Sequence, residues 1–230
     1  MSAVNTKTLI MGIVLPLVFD LILGLLLFIA AGTLYWFYGW IFLILLFIFG
    51  IALSMWLLRH DPGLLEERTS FKSDQPSRDK AIAVLAFIVI GIWGISMPLD
   101  AVRFHLSKMP TWLHLVGVIV FLSFSYLTYL TYRENPYLSG VVRIQEDRGQ
   151  TVISTGPYRY VRHPLYTSAL LFFLGSALFL GSWIGVILGL FIGGMLANRA
   201  VREERVLRIG LKGYDAYMAQ VRWRLIPHVW

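Results

Sequence analysis

Within eleven residues, Gly156 to Tyr166, the chain carries Tyr158, Arg159, Tyr160, Arg162, His163 and Tyr166, directly before a long apolar run. Phenols, guanidiniums and an imidazole at such a boundary suit a charged ligand held where a wet pocket meets a bilayer. A second polar cluster, Asn198-Arg199-Ala200-Val201-Arg202-Glu203-Glu204-Arg205, comes after the next apolar run. On a helix, Arg199 and Glu203 share a face, whereas the adjacent Glu203 and Glu204 point about 100° apart and serve different tasks. An isolated surface helix of this composition would be only a set of solvated ion pairs, each worth little. The apolar hairpin between the two clusters gives them meaning, because it returns residues 198–204 to the neighbourhood of residues 158–166, facing one pocket.

The elements that position these residues are membrane spans. Of the 230 residues, 57% are hydrophobic and 14% charged, and the mean hydropathy is +0.70, which excludes an ordinary soluble globule. Six apolar runs stand out: Leu9–Ala31, Leu34–Leu58, Ala81–Leu99, Trp112–Tyr132, Leu165–Leu180 and Trp183–Ala200. A helix needs about 20 residues to cross the hydrocarbon core, so the fifth run is short and either stands perpendicular to the membrane or begins in the interface. The first run is long enough to span and no cleavage site comes after a short core, so no cleavable signal peptide is expected. All Lys and Arg residues except Arg103 and Lys108 fall on the side that holds both termini, which the positive-inside rule assigns to the cytoplasm. The net charge of +7 is therefore a topology signal with some attraction to anionic lipid, and nucleic acid is not an expected partner. Absence of cysteine excludes disulfides, thiolate nucleophiles and cysteine metal sites, and no metal is expected.

Several further features are legible. Pro164 suits the first position of a helix and forces His163 out of helical geometry, leaving backbone N–H groups there for a carboxylate or phosphate. Asp20, four residues after Pro16, lies at mid-span depth, where a carboxyl either contacts a ligand or proton or glues helices together. The 59–80 segment is a linker with one surface helix; its His60 is a solvated histidine rather than a base. Gly185, Gly189 and Gly193 make one small-residue stripe for close packing of the last span on the fourth or fifth. Two β-favouring runs around Asp147–Gln150 predict a small hairpin on the membrane. The tail from Gly210 through Tyr214 and Tyr217 to Pro227 predicts a short amphipathic helix and an extended end that closes the pocket.

Taken together, Gly156-Pro157-Tyr158-Arg159-Tyr160-Val161-Arg162-His163-Pro164-Leu165-Tyr166, the hairpin, Glu203-Glu204 with Leu207, then Gly210, Tyr214 and Tyr217 resemble the isoprenylcysteine carboxyl methyltransferase family, especially its prokaryotic members. The phospholipid methyltransferases are a more distant likeness. The resemblance covers roughly residues 132–230; Ser168 stands where the family often has glycine or another small residue, which bears on local packing. It implies S-adenosyl-L-methionine as cofactor, held by Tyr158, His163, Pro164, Tyr166, Glu203, Glu204 and Tyr214. It also implies a lipophilic methyl acceptor entering from the bilayer. Arg199 or Arg162 would orient a carboxylate acceptor, which needs no general base; an amine acceptor would need Glu203 or Glu204 to take a proton. Two other readings compete. One is an NADPH-dependent membrane reductase of the sterol-reductase type, weakened because Leu165-Tyr166 replaces the usual Asn-Tyr after the proline. The other is a non-enzymatic transporter or assembly protein, drawing on Asp20 and the glycine stripe. The expected fold class is an all-α integral membrane protein of about six transmembrane helices with a cytoplasmic C-terminal cofactor-binding region. Residues 1–132 supply four spans and the 59–80 loop; residues 133–230 form the methyltransferase catalytic region of loop, helical hairpin 164–200 and tail.

Overall fold

In the computed structural model, which describes residues 6–69, 77–139 and 144–230, the chain is helical and, among those residues, contains no strand. The helices are α1 (Thr6–Ala31), α2 (Phe37–His60), α3 (Pro62–Thr69), α4 (Ser77–Pro98), α5 (Thr111–Glu134), α6 (Pro164–Leu180), α7 (Trp183–Gly210) and α8 (Tyr214–Gln220). A π-helical turn, Leu99–Arg103, extends α4. Five helices are long and apolar enough to cross a membrane, and α6, at 17 residues, is the short apolar one. The six apolar runs thus appear as six helices at the expected places. Backbone groups in hydrocarbon have no water to bond, so continuous helices are the form these runs must take. The last helix continues ten residues past the expected boundary, because nothing between Ala200 and Gly210 breaks it; apolar stripe and charged cluster are one rigid rod of 28 residues.

At the core, Phe42 of α2, Phe121 of α5 and Phe179 of α6 meet edge to face, with ring centroids 5.5 Å (Phe42 to Phe121) and 6.2 Å (Phe42 to Phe179) apart. Two glycines bring α5 and α6 into backbone contact. A Cβ on Gly117 would stand 2.2 Å from the Phe179 nitrogen, and one on Gly175 would stand 2.8 Å from the Phe121 nitrogen. The Gly185, Gly189, Gly193 stripe packs α7 on Ala177, Phe173 and Leu170 of α6, as expected for one of the two candidate partners. Gly185 also seats Met97 of α4, and Trp93 Nε1 donates to the Gly185 carbonyl at 3.0 Å. Here α7 leans on α4 rather than on α5.

At the bundle end opposite the candidate site, Gly181 (φ 85°) closes α6 in the left-handed conformation that favours glycine. Ser182 caps α7 by accepting from the Gly185 N–H at 2.8 Å. Buried Asp100, on the π turn, accepts from Ser107 Oγ at 2.7 Å, from the Ser182 hydroxyl and from the Ile184 N–H at 3.2 Å. A carboxylate at the positive end of α7 is favourably placed, and it ties α4 to the α6–α7 hairpin.

The expected membrane hairpin is not a hairpin. Residues 141–143 of it lie outside the described residues, as do residues 70–76 of the predicted linker. Its described part is a 3-10 turn, Glu146–Arg148, closed by Gly149 at φ 60°. Glutamine side chains take the bonds that strand pairing would have taken: Gln145 N–H donates to Gln150 Oε1 at 2.8 Å and Gln145 Nε2 to the Tyr137 carbonyl at 2.6 Å. The 59–69 part of the linker holds the expected helix, α3, whose Leu64 and Leu65 pack on Leu57, Leu58 and Leu138.

Candidate active site

Pro164 opens α6 and His163 is its N-cap, at φ −125° and ψ 64°. The backbone N–H groups of the two residues before Pro164 are taken by the tail. Arg162 N–H donates to the Trp223 carbonyl and His163 N–H to the Arg224 carbonyl, both at 2.9 Å. The extended tail lies against residues 162–163 like a strand on a strand, and Thr167 Oγ1 adds a bond to the Leu225 carbonyl at 2.7 Å. Tail closure, expected on composition, is therefore built from backbone bonds as well as aromatics.

Glu204 is the hub behind this wall. Its Oε1 accepts from Arg162 Nε at 2.7 Å and lies 3.2 Å from His163 Nε2, while Oε2 accepts from Arg224 Nε at 2.9 Å. Arg162 spends Nη1 on the carbonyls of Val221 and Arg222, at 2.8 and 3.0 Å. One carboxylate thus fastens the entry to α6, the body of α7 and the tail.

Its neighbour Glu203 faces the other way, as the helical angle requires. Tyr166 Oη donates to Glu203 Oε2 at 2.7 Å, and Arg199 Nε donates to the same phenol oxygen at 2.9 Å. The Arg199 guanidinium also lies over the Tyr166 ring, 5.9 Å from its centroid. His163 stacks on that ring, its Nδ1 3.8 Å from Glu203. Arg199, Tyr166, His163 and Glu203 form one row across the α6–α7 pair.

Three further tyrosines close the site. Asn135 Nδ2 donates to Tyr158 Oη at 2.7 Å, and Tyr217 Oη donates to the Tyr158 carbonyl at 2.8 Å. Burial pushes the phenols of Tyr158, Tyr214 and Tyr217 above the ordinary tyrosine range; for Tyr214 the negative charges of Glu204 and Glu203 add to it. They are neutral donors, not phenolates, at physiological pH.

The row of Arg199, Tyr166, His163 and Glu203 and the three tyrosines border a cavity of about 610 Å³. One end presents Arg199, Glu203, His163, Tyr158, Tyr166 and Tyr214; the other presents Phe49, Phe124, Phe172 and Phe173. Of the residues expected at the site, Arg162 and Pro164 also border it, while Glu204 stands outside the lining. Sequence reasoning missed Asn135 and Arg224. Asn135 comes after the last turn of α5 with no flanking motif, and Arg224 was visible only as tail charge. The cavity also draws Phe19 of α1 and Leu46 and Leu53 of α2 into its wall. Residues 1–132 therefore help form the site that residues 133–230 were expected to hold.

Over 97% of its length the chain superposes on 97% of a solved structure of the eukaryotic intramembrane Ras methyltransferase, isoprenylcysteine carboxyl methyltransferase, with a TM-score of 0.50 and 17% identity. The chain has that fold. Residues 112–209, from α5 through nearly all of α7, match the model of the phospholipid methyltransferase family. No curated protein sequence matches the chain. Fold and family match point to a membrane methyltransferase, and neither favours the reductase or transporter reading.

Proposed function

We propose that this protein transfers a methyl group from S-adenosylmethionine to a lipophilic acceptor drawn from the bilayer. The observation that carries the proposal is the two-ended cavity: Arg199, Tyr166, His163 and Glu203 at one end, phenylalanines at the other. In the same reading both termini lie in the cytoplasm, at an inner or plasma membrane, because in the sequence every Lys and Arg except Arg103 and Lys108 falls on the same side of the apolar runs as residues 158–163 and the C-terminal tail.

The residues fit the donor. Glu203 presents a carboxylate at one end, which suits the ammonium of the donor's amino-acid part. Tyr158, Tyr166 and Tyr214 offer aromatic faces and neutral hydroxyls for an adenine ring, a ribose and a sulfonium cation. A volume of about 610 Å³ lies within the range of small-molecule sites. Bound there, S-adenosylmethionine supplies an electrophilic methyl group on sulfur.

The chain's own residues then have three tasks. Tyr166 fixes Arg199 and Glu203 relative to each other, so neither must be ordered when ligands arrive. Arg199 holds the acceptor's polar atom by charge-assisted hydrogen bonds, a role for which Arg162 is less free, with Nε on Glu204 and Nη1 on two carbonyls. The phenylalanine end takes the acceptor's apolar chain and excludes water from the nucleophile. An ionised carboxylate acceptor needs no proton removed; an amine would hand its proton to Glu203, which borders the cavity, rather than to Glu204, which does not.

Purified protein in nanodiscs should bind S-adenosylmethionine and not NADPH, and with labelled donor should place the label in a lipid-soluble product identified by mass spectrometry. Binding of NADPH alone would overturn the proposal.

A further inference from the structure

A second cavity, of about 300 Å³, lies between α1 and α2 and is bordered by Leu15, Asp20, Gly50, Ser54 and Leu65. It shares Phe19, Leu46, Phe49 and Leu53 with the larger cavity, so the two are neighbours across one apolar wall. Helices touch at its floor, where a Cβ on Gly50 would meet Pro16 at 3.3 Å. Asp20 Oδ1 is buried there with no hydrogen-bond partner among the described residues. A carboxyl that glued α1 to α2 would bond across to α2; this oxygen does not. Leaving a carboxyl oxygen unsatisfied in hydrocarbon is costly, and an ionisable group inside a span marks a ligand path more often than a packing device.

The pocket faces lipid: Leu15 and Phe19 are 43% and 58% exposed on the outer surface of α1. Its volume is at the low end for ligand sites, enough for a polar head and the first part of a chain. We infer that the α1–α2 pocket binds the hydrogen-bond-donating head of a single-chain amphiphile, an ammonium or a hydroxyl, through Asp20 and Ser54, with the chain lying along the lipid-facing groove. Ammonium and hydroxyl share the chemistry that satisfies Oδ1 and differ in charge. The pocket is separate from the Arg199–Glu203 row, and its occupant does not depend on the methyl-transfer reading.

The test uses the whole protein in phosphatidylcholine nanodiscs, with tritiated hexadecylamine and hexadecanol as probes and hexadecane as the headless competitor. The amine or the alcohol should saturate one site, with hexadecane competing at least tenfold less well. Asp20→Leu should weaken that binding at least tenfold. Ser54→Phe, which fills the pocket from α2 without touching Asp20, should do the same and covers the case where Asp20→Leu misfolds. Asp20→Asn separates the sources: losing the amine while keeping the alcohol assigns an ammonium head, keeping both assigns a hydroxyl, and either upholds the site. Hexadecane competing as well as the headed probes, or wild-type affinity in both Asp20→Leu and Ser54→Phe, overturns it. Glu203→Gln should leave these affinities unchanged, so a failure of the methyl-transfer reading would show separately as absent S-adenosylmethionine binding.

Discussion

Arg162 donates its Nε to Glu204 Oε1 at 2.7 Å, joining residues 42 apart in sequence, with side chains only 5% and 4% exposed. A pair this shielded is a fastening whose two halves depend on each other. Removing one leaves an uncompensated buried charge, which costs about 3–5 kcal/mol. Glu204→Ala should therefore lower stability by that order, and Glu204→Gln by less, in thermal unfolding in detergent. Loss of cofactor binding in Glu204→Gln would result from the loosened wall; Glu203→Gln should weaken cofactor binding while leaving the unfolding transition within about 1 kcal/mol of wild type.

Tyr166 holds Arg199 on one side of its oxygen and Glu203 on the other. Tyr166→Phe removes both bonds and keeps the ring. Methyl transfer should fall about 10–100-fold, equivalent to ~1.4–2.7 kcal/mol of transition-state stabilisation. Arg199→Lys, with one point charge in place of a planar fork, should fall similarly. Unchanged turnover in both would remove this row from the reaction.

Residues 223 and 224 accept from the amides of Arg162 and His163. Deleting residues 222–230 should expose those two amides, and hydrogen exchange at residues 162–163 should accelerate by at least about 100-fold, the mark of a lost local protecting structure. Exchange that stays slow would mean the tail is not what protects them.

Burial raises the phenols of Tyr158, Tyr214 and Tyr217. A folded-state value above the unfolded one of about 10 leaves stability intact below pH ~10 and lowers it as pH climbs further, because only the unfolded chain then releases these protons. Ultraviolet titration of the folded protein should show these tyrosines ionising last, after the exposed ones, and denaturant unfolding should show their contribution to stability lost as pH rises above about 10.

A methyl group on Gly117 meets the Phe179 backbone, which has no rotamer by which to yield. Gly117→Ala should destabilise the α5–α6 pair by about 1–3 kcal/mol. Gly94→Ala, with open space around it, should be neutral in the same unfolding assay.

How much of this the sequence disclosed depended on the kind of signal. Hydropathy placed six helices because the membrane leaves long apolar runs few other conformations. The 100° offset between successive helical residues separated Glu203 from Glu204 in advance, and the hairpin predicted that residues 158–166 and 198–204 would meet. The partners that stayed hidden were those set by tertiary geometry: Arg224 reaching Glu204, Asn135 reaching Tyr158, and Asp100 capping α7. Gly117 and Gly175 form no spaced stripe, so the closest helix contact went unseen while the regular Gly185, Gly189, Gly193 pattern was plain. The hairpin around Gly149 failed because glutamine side chains satisfied the backbone locally.

The 17 residues of α6 measure about 25 Å at ~1.5 Å per residue, against a hydrocarbon core of about 30 Å. Both its ends are fastened, one at Gly181 and Ser182 to α7 and Asp100, the other through residues 162–167 to α7 and the tail, so the helix does not slide to make up the deficit. Hydrophobic mismatch then becomes a property of the site. A thicker bilayer submerges the row of polar side chains and a thinner one lifts it toward the headgroups, so membrane thickness sets the depth at which an acceptor is presented.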